Sequence, residues 1–248
     1  MAKTDHLAIL QFGLRHWLEW RSRSPGEYPD LSEAHLPNLN LRGANFSNTN
    51  LSKANLTGAM LLGANLRDAI LSLATLSYAE LTEADLTEAN LVGSSFLHAS
   101  LRGAELVGVN AIASDFSAAQ LQNADLGEAN LSGSELRKAN LRGVNLSHAD
   151  LSRANLLEAE LAEANLYKAN LSQANLRDAH FNGVYLLGAN LSFSSLEGTD
   201  FRWSNLSKVN LQGANLSRAN LRGANLTKAD LTGVNLQGTI MPDGTIHP

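Results

Sequence analysis

Apolar residues recur along most of the chain at a fixed interval of five residues. From Leu31 to Leu236, every position whose number ends in 1 or 6 holds Leu or Phe except Ala111, which gives 42 uninterrupted units. We call this position the centre of the unit. The residue two places before a centre is mostly Ala or another small residue, and the residue just before it is most often Asn or Asp. A short period repeated so often is typical of a repeat protein.

A spacing of five fits neither a continuous helix nor a continuous strand. In an α-helix, centres five residues apart would scatter around the axis and form no apolar stripe. In a straight strand, successive centres would face opposite sides of the sheet. The pattern therefore predicts that the chain turns inward every five residues. The centre and the small residue then point into a polygonal coil, and the other three residues point out.

The spacing of particular residues leaves the number of sides open. Phe96 and Phe116 are four units apart, as are Phe181 and Phe201, and this interval favours four sides with Phe stacked on Phe. Glycines that follow a centre by two places often recur every three units instead, which favours three sides. These glycines include Gly183, Gly198 and Gly213.

The repeated unit resembles that of the pentapeptide-repeat family over residues 31–240. The resemblance implies an all-β solenoid, namely a right-handed quadrilateral (square) β-helix with four units per coil and about 10 coils. We therefore expect residues 30–240 to form the β-helix, residues 1–29 to form an N-terminal cap and residues 241–248 to form a C-terminal tail.

The segment before the repeats has the pattern of an amphipathic helix. Within residues 5–22, an apolar helical face is predicted to comprise Leu7, Leu10, Leu14, Trp17 and Leu18. The open end of a solenoid exposes its core and its unpaired strand edges, so this helix is expected to cover the first coil. The stretch from Trp17 to Arg21, followed by the run from Pro29 to Ser32, is similar to the leaders of many cyanobacterial pentapeptide-repeat proteins. A docking helix for a partner is the alternative interpretation.

Composition narrows the classes of function. The chain has 24 acidic and 19 basic residues and a net charge of −5, which argues against a general nucleic-acid binder. It has no cysteine, so disulfides and thiolate chemistry are excluded. No apolar run approaches the ~18 residues of a membrane span, and residues 1–20 do not have the pattern of a signal peptide. We expect a cytoplasmic protein, without membrane attachment, that is a monomer rather than a dimer.

Catalytic and metal-binding patterns are missing from the sequence. The seven histidines show no metal-ligand spacing, and no phosphate-binding glycine loop is present. Carboxylates act as an acid–base pair only inside a cleft, which flat walls do not provide. We expect no enzyme activity, no cofactor and no metal.

Function is therefore sought on the outer walls, where stacked apolar side chains indicate contact surfaces. The first candidate wall carries Tyr167, Tyr185 and Leu187, and the second carries Ile70, Leu73, Val92 and Ile112. These walls predict a non-catalytic scaffold, of a regulatory kind, that docks a partner protein. The resemblance implies an alternative, a DNA mimic acting on a DNA-binding enzyme such as gyrase, which requires dense negative charge along the rod. Acidic residues do gather in the middle of the chain, but the C-terminal third is basic.

Overall fold

A computed structural model of the protein describes residues 4–248. The N-terminal segment forms two helices, α1 (Thr4–Gln11) and α2 (Leu14–Arg23). The single helix expected over residues 5–22 is therefore wrong in one respect, because the chain bends at Gly13, whose φ of 115° lies outside the helical region. Within the described residues, no helix has the length and the apolar character that crossing a bilayer would require.

The repeats form a four-sided β-helix in which each unit is in register with the unit four places later. The residue before each centre forms a parallel bridge with its counterpart in the next coil, from the pair Asp30 and Asn50 to the pair Asn220 and Ile240. Backbone hydrogen bonds follow the same register: the Leu31 N–H donates to the Asn50 carbonyl at 2.7 Å, and the Asn50 N–H donates to the Pro29 carbonyl at 2.8 Å. The choice between three and four sides, which residue spacing left open, is thus decided for four.

Each corner is a tight turn between one centre and the small residue of the next unit. In the first unit, the Ala34 N–H donates to the Leu31 carbonyl at 3.1 Å, and Glu33 has a φ of 60°. A positive φ at the third residue of a β-turn is the pattern of a type II turn. The second residue after every centre from 31 to 236 adopts such a positive φ, whether or not it is glycine.

The centres and the small residues fill the interior as the sequence predicts. The centres from Leu31 to Leu221 are at most 2% exposed, whereas Leu226, Leu231 and Leu236 in the last coil are half-buried. Phe96 lies parallel to Phe116 with ring centroids 4.9 Å apart, and Phe181 contacts Phe201 at 5.1 Å. At most positions where Ser or Thr replaces the small Ala, its hydroxyl donates to the carbonyl of a core residue, as Thr199 does to Leu176 at 2.9 Å.

Side chains from the two helices take the place of a missing coil at the N-terminal end. Trp17 is fully buried, contacts Phe46 at 5.4 Å and donates from Nε1 to the Asn45 carbonyl at 2.8 Å. Arg21 donates from Nη2 to the Ser47 carbonyl at 2.8 Å, and the Asp30 N–H donates to His6 Nδ1 at 2.9 Å. In later coils, the equivalent backbone groups bond to the preceding coil, so these three side chains satisfy an otherwise unpaired edge.

The C-terminal tail folds back on the last side of the rod as a short hairpin. Ile240 and Ile246 form an antiparallel bridge, and the Gly238 N–H donates to the His247 carbonyl at 2.9 Å. Asp243 Oδ1 accepts the Thr245 N–H and hydroxyl at 2.9 and 2.6 Å, and these bonds lower the pKa of the Asp243 carboxyl. The hairpin covers one of the four sides of the last coil.

Candidate protein-binding walls

Three of the predicted residues meet on one wall, and we call them the tyrosine patch: Tyr167, Tyr185 and Leu187. The two tyrosine rings stack with centroids 6.2 Å apart, and Tyr185 is 40% exposed. All three side chains line the same open surface depression, together with Ser147, His148 and Asn165. The four-unit register explains this arrangement, because Ser147, Tyr167 and Leu187 occupy the same corner in three successive coils.

Polar neighbours hold the tyrosine patch in place. Asn165 Oδ1 accepts the Tyr167 N–H at 3.1 Å, and Asn165 Nδ2 donates to Asn145 Oδ1 at 3.1 Å, which links adjacent coils. The His148 ring contacts the Tyr167 ring edge-on at 5.3 Å, and Lys168 Nζ lies 5.1 Å from the Tyr167 centroid. The patch is therefore aromatic in its middle and carries a cation at its border.

The second predicted group is less compact. Leu73 is 58% exposed, and its N–H donates to the Val92 carbonyl at 2.9 Å. Its side chain extends over Gly93, where an added Cβ would lie 2.9 Å from Leu73 Cδ2. Ile70 is 43% exposed. Ile112 occupies the same corner as Val92 one coil later, but it lines a mostly polar depression beside Arg153 that the other three side chains do not line.

Two further exposed aromatic residues lie over glycines of the next coil. Phe193 is 61% exposed and Trp203 is 73% exposed. A Cβ added to Gly213 would lie 2.7 Å from the Phe193 ring, and one added to Gly223 would lie even closer to the Trp203 ring. The rings can fold against the rod because the residue one coil later has no side chain.

Charged side chains are distributed unevenly along the rod. The acidic group in the middle of the chain comprises Glu80, Glu83, Asp85, Glu88, Glu105, Asp125 and Glu128, and of these Asp85 pairs with Arg67 at 3.3 Å. In the C-terminal third, Arg202 lies 2.6 Å from Asp200, and Arg218 lies 3.6 Å from Glu197. Burial disfavours ionisation of Asp200, but hydrogen bonds from the Arg202 side chain and backbone outweigh it and lower the pKa of Asp200.

The ionisable groups do not have the properties of an acid–base site. Among the described residues, the carboxyl groups whose pKa values are shifted are shifted downward. At Glu19 and Asp230, the main cause of the lowered pKa is a side-chain hydrogen bond, from Arg15 and Thr232 respectively. A general acid working near neutral pH needs the opposite shift. Across residues 4–248, no three His, Asp or Glu side chains are grouped closely enough to hold a metal ion.

The sequence interpretation missed several residues of the tyrosine patch and of the N-terminal end. His148, Asn165 and Ser147 could have been found by counting about one coil, or four units, back from the tyrosines. His6 and Arg21 could not have been found in this way. Each is buried, with 6% of its surface exposed, because the helices fold onto the rod, and the sequence does not show that packing. Burial lowers the pKa of Arg21.

Comparisons with solved structures returned similar repeat proteins. One of them is HetL from the cyanobacterium Nostoc sp. strain PCC 7120, a pentapeptide repeat protein involved in heterocyst differentiation regulation. It is 32% identical to this chain, and the match covers 92% of this chain and 98% of HetL with a TM-score of 0.47. A pentapeptide repeat protein from the Arabidopsis thaliana thylakoid lumen is 34% identical over 43% of this chain and 71% of its own, with a TM-score of 0.34. QnrB1, a plasmid-mediated fluoroquinolone resistance protein, is 18% identical over 81% of this chain and 90% of its own, with a TM-score of 0.39.

A comparison with curated proteins gave no match. The family model described as "Pentapeptide repeats" matches eight copies between residues 30 and 241, which is the whole four-sided region. The right-handed quadrilateral β-helix expected from the resemblance is the fold that this match supports. The chain therefore belongs to the pentapeptide-repeat family.

Proposed function

We propose that this protein is a non-catalytic scaffold, of a regulatory kind, that docks a partner protein on an outer wall of its β-helix. The observation that carries the proposal is the tyrosine patch, in which two stacked tyrosines and a leucine line one depression on an outer wall. Clustered tyrosines are typical of protein-binding surfaces, since each ring offers a large contact area and a polar hydroxyl.

The proposal assigns a role to each segment of the chain. Residues 1–29, of which 1–3 lie outside the described part, act as a cap. Residues 30–240 form the binding rod of about ten coils, and residues 241–248 form a tail that closes one side of the last coil. We place the protein in the cytoplasm, as a monomer of the cyanobacterial type, with no need of a cofactor or metal and no role in general nucleic-acid binding.

Rigidity explains how a small patch could suffice for binding. Backbone hydrogen bonds join each coil to the coil next to it, and Asn side chains form ladders between coils, such as the bond from Asn190 to Asn170 at 3.2 Å. A wall of this kind loses little conformational entropy when a partner docks, so more of the contact energy appears as affinity. The group of Ile70, Leu73, Val92 and Ile112 is the second choice of surface.

The test is substitution of the tyrosine patch with a matched control on another wall. Leu187→Ser and Tyr185→Ser should leave folding intact, because both side chains lie on the outside, and should weaken capture of the host partner at least about tenfold. Leu157 is also half-buried and also follows a centre, but it lies two sides away around the coil. Leu157→Ser should therefore leave capture unchanged. Equal binding by all variants would mean that the patch is not the docking site.

The alternative function, a DNA mimic acting on gyrase, is separated from this proposal by a direct assay. Because the acidic residues are interrupted by basic ones and the C-terminal third is basic, we expect no effect on gyrase supercoiling at stoichiometric protein. Inhibition or protection of gyrase at that ratio would replace the scaffold with the DNA mimic.

A further inference from the structure

Toward the N-terminal end of the rod, the corner occupied by Tyr167 carries only small residues in the two preceding coils. These residues are Ser147 and Gly127, and we call this stretch of the corner the floor. Gly127 is buried, and a Cβ added to it would meet Asp125 Oδ1 at 3.1 Å and Asn145 Nδ2 at 3.3 Å. Asp125 and Asn145 cover Gly127, since Asp125 Oδ1 accepts the Gly127 N–H at 2.9 Å and the Asn145 amide at 2.8 Å. The floor therefore has no side chain of its own at Gly127 and a short one at Ser147, and it rises at the tyrosine patch.

Four carboxylates surround this floor. Glu105 and Asp125 lie on one side of it in adjacent coils, joined by a parallel bridge, and Glu128 lies on the other side. The Glu88 carboxylate extends over Gly108, where an added Cβ would lie 2.7 Å from its Oε1, and the Gly108 N–H donates to the Gly127 carbonyl. Within residues 4–248, none of the four forms an ion pair, in contrast to Asp85, which is paired with Arg67.

We infer that the partner segment that docks here is a short cationic peptide strand with an apolar anchor, lying along the rod axis. This inference rests on the proposed function and adds the chemistry of the partner. The apolar anchor contacts Tyr167, Tyr185 and Leu187, and the Lys or Arg side chains lie among the four carboxylates. Lys168 beside Tyr167 keeps cationic residues away from the patch, which fixes the register of the segment.

The spacing of the coils sets the length of the segment. Asp125 and Tyr167 are two coils apart, and adjacent coils of a parallel ladder lie ~4.8 Å apart, so the carboxylates and the patch are separated by about 10 Å. An extended chain covers this distance with about three residues at ~3.3 Å per residue. The segment therefore has about nine residues, three for each end and three between.

Peptide binding tests this chemistry directly. The probe is a dye-labelled peptide with three lysines, a Gly-Ser-Gly spacer and a Leu-Phe-Leu end, measured by fluorescence anisotropy with the full chain. Two matched peptides replace the lysines with glutamates or the apolar end with serines. We expect the cationic, apolar peptide to bind most tightly and its affinity to fall as salt is raised, because exposed charges are screened.

Protein variants separate the two contributions. The double variant Glu105→Gln/Glu128→Gln should weaken binding of the cationic peptide by about fivefold, the sum of two exposed charge contacts. It should not weaken binding of the glutamate peptide, because the carboxylates repel that peptide. Leu187→Ser should weaken both, and Leu157→Ser should weaken neither.

The outcomes distinguish this inference from the function on which it rests. Equal binding of the lysine and glutamate peptides, with no effect of Glu105→Gln/Glu128→Gln, overturns the inference, and a loss with Leu187→Ser would then still support docking at the patch. Absence of binding by all three peptides also overturns the inference, while capture of the host partner by wild type but not by Leu187→Ser would leave the proposed function standing.

Discussion

At the scale of single residues, the repeat places one unusual demand on the backbone. The second residue after each centre has a positive φ, and most of these residues are not glycine. A left-handed conformation costs a side-chain-bearing residue roughly 1–2 kcal/mol, so the stacking of coils must outweigh this strain at many corners. The sequence predicted the five-residue turn but not this conformation, because Glu, Lys, His and Tyr occupy the position as well as glycine.

Two glycines separate backbone strain from contact with a neighbouring ring. Gly183 and Gly223 both have a φ of 70°, but only Gly223 lies under Trp203. Gly183→Ala should lower the free energy of unfolding by about 1 kcal/mol through strain alone. Gly223→Ala should lower the free energy of unfolding by about 1 kcal/mol more than Gly183→Ala does, because the Trp203 ring must also move. Chemical denaturation measures both costs. Equal costs, with unchanged tryptophan emission, would show that the ring does not rest on Gly223.

At the scale of elements, the helices and the repeats differ in how far the sequence predicts them. The inward-turning coil followed from the interval of five, since each unit buries its centre in the same way, and the resemblance to the pentapeptide-repeat family implied the square β-helix. The interval could not choose between three and four sides, and the four-unit register settles this through pairs such as Phe96 and Phe116. The N-terminal segment was predicted as one helix because its apolar spacing continues through Gly13, where the backbone turns.

The capping role of α1 and α2 predicts a specific failure when Trp17 is removed. Trp17→Ala deletes a fully buried side chain and its hydrogen bond to Asn45, which should lower the free energy of unfolding by about 3–5 kcal/mol. Loosened helices would uncover Leu31, Leu36 and Leu41, and the protein should then self-associate in sedimentation velocity.

The control for the cap is the neighbouring residue on the same helix. Its spacing predicted Leu18 on the buried face, which is wrong, because the side chain is 38% exposed beside the fully buried Trp17. Leu18→Ala should therefore change stability by no more than about 0.5 kcal/mol and leave the protein monomeric. If Trp17→Ala behaves like Leu18→Ala, the helices do not protect the end of the rod, and a docking role for them gains support.

At the scale of the whole molecule, one outer wall brings together an aromatic patch and a group of carboxylates that are far apart in the sequence. Tyr167, Tyr185 and Leu187 were predicted to share a wall because intervals of about one coil bring them together, and they line one depression. The surrounding carboxylates were visible in the sequence only as an acidic region. Their position around Gly127 follows from the folding of the coil, and so does the distance between charge and patch.

Cross-linking from the wall is the measurement that tests the central claim most directly. A photoreactive phenylalanine derivative is placed at position 187 and, as the matched control, at position 157, and each protein is irradiated in extract of the native host. We predict a discrete cross-linked partner from position 187, reduced by the lysine peptide, and none from position 157. Cross-links from position 157 alone, or the same products from both positions, would contradict docking at the tyrosine patch.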